Sequence, residues 1–141
     1  MSLIFILFSC SSLFSTSRES LEILALTDNG DIFEARFTKG DTGIFKGQGH
    51  VHVHRWVRNQ TPMSYILNTS PADSQISPTS AKFGHQRLYK NNDSWLLSIR
   101  SAEFNASATF SSTMETQKQT IEDWTVELIE ANGDFRGWAS A

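Results

Sequence analysis

A chain of 141 residues has the size of one ordinary domain. Its 39% hydrophobic content, with ten Phe and four Trp, supplies a packed interior and excludes an intrinsically disordered body. The net charge of −3 and the lack of any Lys/Arg cluster leave no footprint for a phosphate backbone, so nucleic acid is not expected as a partner.

The first segment, residues 1–20, carries the apolar run Leu3-Ile4-Phe5-Ile6-Leu7-Phe8-Ser9-Cys10 and then a Ser-rich stretch, which reads as an export leader. The run is too short to span a bilayer as a helix, and no Lys or Arg precedes it. Leu7-Phe8-Ser9-Cys10 resembles a bacterial lipobox, which would make Cys10 a lipidated membrane tether; a plain first strand is the remaining reading. The expected location is outside the cytoplasm, periplasmic or lipid-anchored. As the single cysteine, Cys10 rules out an intrachain disulfide and a cysteine cage for zinc.

Residues 21–141 are expected to form the domain itself. Leu21 to Leu26 is an apolar run that stops at Asp28-Asn29-Gly30-Asp31, where Asn-Gly predicts a tight hairpin into Ile32 to Phe37. Ile44 to Arg58 reads as one long strand, bent or bulged at Gly47 and Gly49 as at a barrel corner. Met63 to Leu67 is a weaker strand candidate. Asn68 to Ser80, with two of the three prolines, reads as a loop. Phe83 to Tyr89 is a further strand candidate, and Lys90-Asn91-Asn92-Asp93-Ser94 is turn chemistry leading into Trp95 to Arg100. In Glu103 to Ser111 the period is strictly two, with Phe104, Ala106, Ala108 and Phe110 on one face and Glu103, Asn105, Ser107 and Thr109 on the other. Ser112 to Asp123 reads as a loop with at most a turn of helix. Trp124 to Ile129, Asn132-Gly133-Asp134 and Phe135 to Trp138 predict a closing hairpin. The sum is an all-β fold of about eight or nine strands, an antiparallel lipocalin-like barrel or a closely related sandwich.

His50-Val51-His52-Val53-His54 is the conspicuous chemical pattern. In a strand, His50, His52, His54 and Trp56 project to one face. Histidines at i and i+2, about 6.5 Å apart at Cα, can share a zinc, whereas the i and i+4 pair at about 13 Å cannot do so comfortably. A third ligand would have to come from His85, Glu34, Asp41 or Glu103. Cupin-type metal barrels place a Glu shortly after His-x-His, but here Arg55, Trp56, Val57 and Arg58 follow, so no metal is assigned and no cofactor is expected. The alternative is a polar strand face, exposed or lining a cavity, with Val51, Val53 and Val57 packed behind it. There is no Gly-x-Ser-x-Gly elbow and no phosphate-binding glycine loop. The acids Glu34, Asp93, Glu103 and Asp123 are scattered rather than paired.

Asp28-Asn29-Gly30-Asp31-Ile32-Phe33-Glu34-Ala35-Arg36-Phe37 followed by Gly43-Ile44-Phe45-Lys46-Gly47-Gln48-Gly49 resembles the lipocalin-like domains of the carotenoid 1,2-hydratase (hydroxyneurosporene synthase) group. Trp95-Leu96-Leu97-Ser98-Ile99, Asn105-Ala106-Ser107-Ala108-Thr109-Phe110, Asp123-Trp124-Thr125-Val126 and Phe135-Arg136-Gly137 continue the resemblance over about Leu21 to Gly137. It implies a barrel for an apolar or amphipathic small molecule, in a family whose members commonly carry two such domains. A second lipocalin-like domain is therefore an expected partner. No catalytic position matches, so hydratase activity does not transfer.

The leading expectation is a barrel that holds a hydrophobic small molecule, with Phe33, Phe37, His52, His54, Trp56, Phe104, Phe110 and Trp124 as ligand-binding residues. A hydratase or isomerase moving a proton through His50, His52 or His54 is the enzymatic alternative. A β-sandwich module for carbohydrate or protein is the third. An open interior favours the first, a His bonded to a carboxylate inside a cavity the second, and a filled interior with exposed aromatics the third.

Overall fold

The computed structural model describes the backbone of residues 2–13, 16–40, 46–102, 104–112, 117–121 and 124–140, and the side chains within 19–40, 46–102 and 104–111. Twelve strands are formed among the described residues: β1 (Ser2–Leu13), β2 (Thr16–Leu26), β3 (Ile32–Gly40), β4 (Gly49–Trp56), β5 (Met63–Thr69), β6 (Ser74–Ser77), β7 (Ser80–Phe83), β8 (Gln86–Asn91), β9 (Ser94–Arg100), β10 (Phe104–Ser112), β11 (Gln117–Ile121) and β12 (Trp124–Ser140). Every pairing is antiparallel. β2 to β5 make one four-stranded meander and β6 to β10 a five-stranded one. β1 and β12 join them, so the ladder reads β5-β4-β3-β2-β1-β12-β10-β9-β8-β7-β6, with β11 beside β12. The two end strands, β5 and β6, do not pair, and among the described residues the ladder does not close into a barrel.

The two meanders pack face to face like a sandwich, with β6 against β2 and β3, and β7 against β4. Alternation decides what fills the space between them. Leu21, Ile23 and Ala25 from β2, Phe33, Ala35 and Phe37 from β3, and Val51 and Val53 from β4 meet Phe83, Leu88, Trp95, Leu97 and Ile99 from the other sheet. In β10, Phe104, Ala106, Ala108 and Phe110 are buried while Asn105, Ser107 and Thr109 are exposed, as the period of two requires. Two ring pairs bridge the sheets: Phe37 meets Phe83 edge-on at 5.5 Å between centroids, and Tyr65 stacks on Phe104 at 4.7 Å. Among the described residues no buried side-chain N or O lacks a hydrogen-bond partner.

Between β5 and β6 the chain changes sheets through a single 3-10 turn, Pro71–Asp73. Hydroxyls tie that crossing down. Ser74 Oγ donates to the Ser70 carbonyl at 2.7 Å and is hydrogen-bonded to Thr69 Oγ1 at 2.7 Å, and Thr69 Oγ1 also lies 3.4 Å from the Gly49 carbonyl. Gly49 sits against this knot, and a β-carbon there would come 2.5 Å from both Ser74 Oγ and Thr69 Oγ1. On the other sheet the Gln86 amide copies a peptide group, donating from Nε2 to the Arg100 carbonyl at 2.9 Å and accepting from the Arg100 amide at 2.7 Å.

Several sequence expectations are corrected. The two facing sheets hold nine strands, as expected, while β1, β11 and β12 bring the total among the described residues to twelve, because some stretches read as loops are strands. Asn68 to Ser80 contains β6 and the turn at Pro78-Thr79 that leads into β7. Phe83 to Tyr89 is two strands around Gly84-His85, with Gly84 at φ +59°. Residues 117–121, expected as loop or helix, pair with β12. The expected closing hairpin at Asn132-Gly133-Asp134 does not form: β12 runs straight through it, because Ser111, Phe110 and Thr109 of β10 lie opposite those three residues and satisfy the backbone. β4 starts only at Gly49, since Gly47, at φ +77°, turns the chain back with its amide bonded to the Gly40 carbonyl. The first hairpin does form, but as a three-residue loop with only Gly30 at positive φ (+82°), closed by Thr27 and Asp31. Apart from these corrections, residues 2–13 are laddered as β1 between β2 and β12, with Cys10 opposite Glu19.

Candidate functional site

With Val51 and Val53 buried in the core, alternation sends His50, His52, His54 and Trp56 to the outer face of the β2–β5 sheet. Register then decides their neighbours. β3 sets Thr38, Arg36, Glu34 and Ile32 opposite His50, His52, His54 and Trp56. β5 sets Asn68, Ile66 and Ser64 opposite the three histidines, and β2 sets Glu22 opposite Arg36. One row across the sheet therefore reads Glu22, Arg36, His52, Ile66, and the next Leu24, Glu34, His54, Ser64.

The rings stand upright along β4 like pages. His54 stacks on Trp56 at 5.4 Å with 20° between planes, and His52 follows at 6.4 Å and 39°. His50 Nδ1–H donates to Asn68 Oδ1 at 2.6 Å, which anchors the other end of the row. Arg36 is a fork between two acids: its Nε donates to Glu22 Oε2 at 2.8 Å, and a terminal nitrogen reaches Glu34 Oε1 at 3.0 Å. Burial first, and then the Glu22 charge, push the Glu34 carboxyl above its ordinary range, against the opposing pull of Arg36 and His54. Burial, followed by His54, His50 and Arg36, holds the His52 imidazole below its ordinary value.

The expected ligand-binding residues do not come together. Phe33, Phe37, Phe104 and Phe110 lie in the core between the sheets, whereas His52, His54 and Trp56 project from the opposite side of their sheet, so the two sets cannot line one cavity. Trp124 heads β12, and its side chain lies outside those described. Of the candidate third ligands, Glu34 is on the histidine face, His85 is in the β7–β8 turn, and Asp41 and Glu103 lie outside the described residues. Asp93 is in the β8–β9 turn, and Asp123 also lies outside. Among the described residues no group of three or more His, Cys, Asp or Glu is arranged to hold a metal ion. No family model, curated protein or solved structure matches this chain.

Sequence reasoning missed Glu22, Arg36, Asn68 and Ile66. Two of these carried a signal: a hairpin closed by Thr27 and Asp31 places any two residues whose numbers share that sum opposite each other, and Arg36 and Glu22 do. Asn68 and Ile66 carried none, because the β4–β5 register depends on a connection that the turn rules do not specify. The outer surface of the other sheet holds a shallow groove of about 440 Å³ beside Tyr89, Leu96, Ser98, Ser107 and Thr109.

Proposed function

We propose that this domain is a binding module that takes a carbohydrate on the outer face of β3–β5, along the row of His50, His52, His54 and Trp56. One observation carries the reading: the aromatic side chains that would line an interior pocket are packed between the sheets, while the histidines and Trp56 stand on the outside. Trp56 is 36% exposed at the end of the row, with His54 stacked on it. Next to it lie His54 and, diagonally across β5, Ser64, with Glu34 across the strand from His54; His52, His50 and Asn68 continue the polar row away from it. A ring that accepts an apolar face, flanked by closely spaced donors and acceptors, suits a sugar. A protein partner covering this face fits less well, because of the large exposed hydrophobics among the described residues only Trp56 and Ile66 stand on it, too few for an apolar interface core.

The test is a screen of the purified protein against immobilised oligosaccharides, followed by calorimetry with the best of them. Trp56→Ala is expected to weaken that binding by about tenfold or more without changing the circular dichroism spectrum. Binding that is indifferent to Trp56→Ala, or a hydrophobic small molecule that co-purifies and is retained in native mass spectrometry, would overturn the reading. The second outcome would return the function to a carrier of hydrophobic ligands.

A further inference from the structure

We infer that β5 is a pairing edge for a second copy of this chain, giving a two-fold symmetric dimer through antiparallel β5–β5 contact. β5 ends the ladder, and among the described residues no backbone hydrogen bond reaches it from the side away from β4. A free edge is a template for another strand, and proteins ordinarily blunt such edges with charge, proline, bulges or brevity. The opposite edge is blunted: β6 has four residues, held between the Pro71–Asp73 turn and Pro78. β5 has none of these devices. Its seven residues, Met63-Ser64-Tyr65-Ile66-Leu67-Asn68-Thr69, include no charge, proline or glycine, and its ladder to β4 runs without a register shift.

The sequence of β5 also names the occupant. A two-fold axis through Ile66 is the register that pairs all seven residues. On the outer face it sets Ile66 against Ile66 of the second copy and Ser64 against Asn68 of the second copy. On the core side it sets Tyr65 against Leu67 and Met63 against Thr69 of the second copy. At the centre Ile66 meets Ile66 and Tyr65 meets Leu67, the polar Ser64 meets Asn68, and no charges face each other. A shift of two residues loses pairs at both ends and sets Ser64 or Asn68 against Ile66. Ile66 is 59% exposed, so the contact covers a side chain that the single chain leaves in water. The row Glu22, Arg36, His52, Ile66 then continues into its mirror sequence in the second copy, and the two histidine rows lie three strand spacings, about 14 Å, apart on one surface. The pairing requires no ligand on the histidine face.

Sedimentation and native mass spectrometry of the full chain over a concentration series test this directly. The wild type is expected to dimerise reversibly, and Ile66→Lys to weaken the dimer by about tenfold or more, because like charges would face each other across the axis. Mixing Ile66→Lys with Ile66→Glu should restore a dimer of the mixed mass, which a general loss of stability would not do. Deuterium exchange supplies a readout free of substitutions, with β5 amides becoming more protected as concentration rises. A wild type that stays monomeric, an Ile66→Lys variant that dimerises as the wild type does, or β5 protection that ignores concentration would each overturn the proposal.

Discussion

The protonation of the outer face depends on how closely each ring is hemmed in by its neighbours. His52 lies between His50 and His54 along β4 and beside Arg36 across it, and burial removes water that would stabilise its cation. Its proton affinity in the folded chain is therefore below the ordinary value of 6.5. As pH falls through that value the unfolded chain takes up the proton first, so His52 contributes stability at neutral pH that is lost on acidification toward its folded value. Glu34 acts in the opposite sense: its raised affinity lets the folded chain bind a proton before the unfolded chain does, so its contribution improves as pH falls toward the ordinary carboxylate range. Urea unfolding at a series of pH values is expected to show His52→Gln less sensitive than wild type to acidification just below pH 6.5, and identical sensitivity would refute the assignment. At this scale much of the face was legible. The alternation of His and Val in β4 separates an outer row from a buried one without any structure. Whether the histidine row faces solvent or lines a cavity was not legible, because that depends on how the second sheet packs on Val51, Val53 and the β3 residues opposite them, Phe37 and Ala35.

At the scale of the element, strands appear where turn chemistry isolates them and where a partner waits. The Asp28–Asp31 turn, the Asn92-Asp93 turn with Asn92 at φ +52°, and the strict alternation of β10 are local signals, and all three features are present. β11 and the middle of β12 have no such signal. Gln117 to Ile121 is polar, and Asn132-Gly133 reads locally as a turn, yet both are extended because neighbouring strands take up their backbone groups. Gly49 is a local residue with a non-local reason. It begins β4 where the Thr69–Ser74 hydroxyl pair and the Phe83 ring come too close for a β-carbon, with Phe83 Cδ2 2.8 Å from where that atom would sit. Gly49→Ala is expected to cost about 1–3 kcal/mol, measured as a lowered urea midpoint at unchanged slope. A neutral result would mean that the crossing between sheets yields easily.

For the whole molecule, the all-β character followed from short, punctuated segments with no helical spacing between them, and the absence of closure did not. Whether a meander becomes a barrel or a sandwich depends on its two end strands meeting, and here a three-residue turn carries the chain from one sheet to the other without pairing β5 to β6. Once the sheets face each other, the large rings of both are used between them, as Phe37 on Phe83 and Tyr65 on Phe104 illustrate. The alternation along β4 then leaves His50, His52, His54 and Trp56 on the outer face of their sheet.

The order of strands in the ladder also has a temporal side. Within each meander, every strand pairs with the one next to it in the chain, so each step closes only a short loop and loses little chain entropy. The pairing of β1 with β12 closes a loop of nearly the whole chain, Ser2 opposite Ala131, and is by far the slowest encounter to find by diffusion. Refolding is therefore expected to protect amides within β2–β5 and β6–β10 before those that bond β1 to β12, in pulse-labelled hydrogen exchange. Simultaneous protection would show instead that the halves cannot form apart. Until they meet, β1 and β12 each present a bare edge, so their pairing also removes two exposed edges from the folding chain.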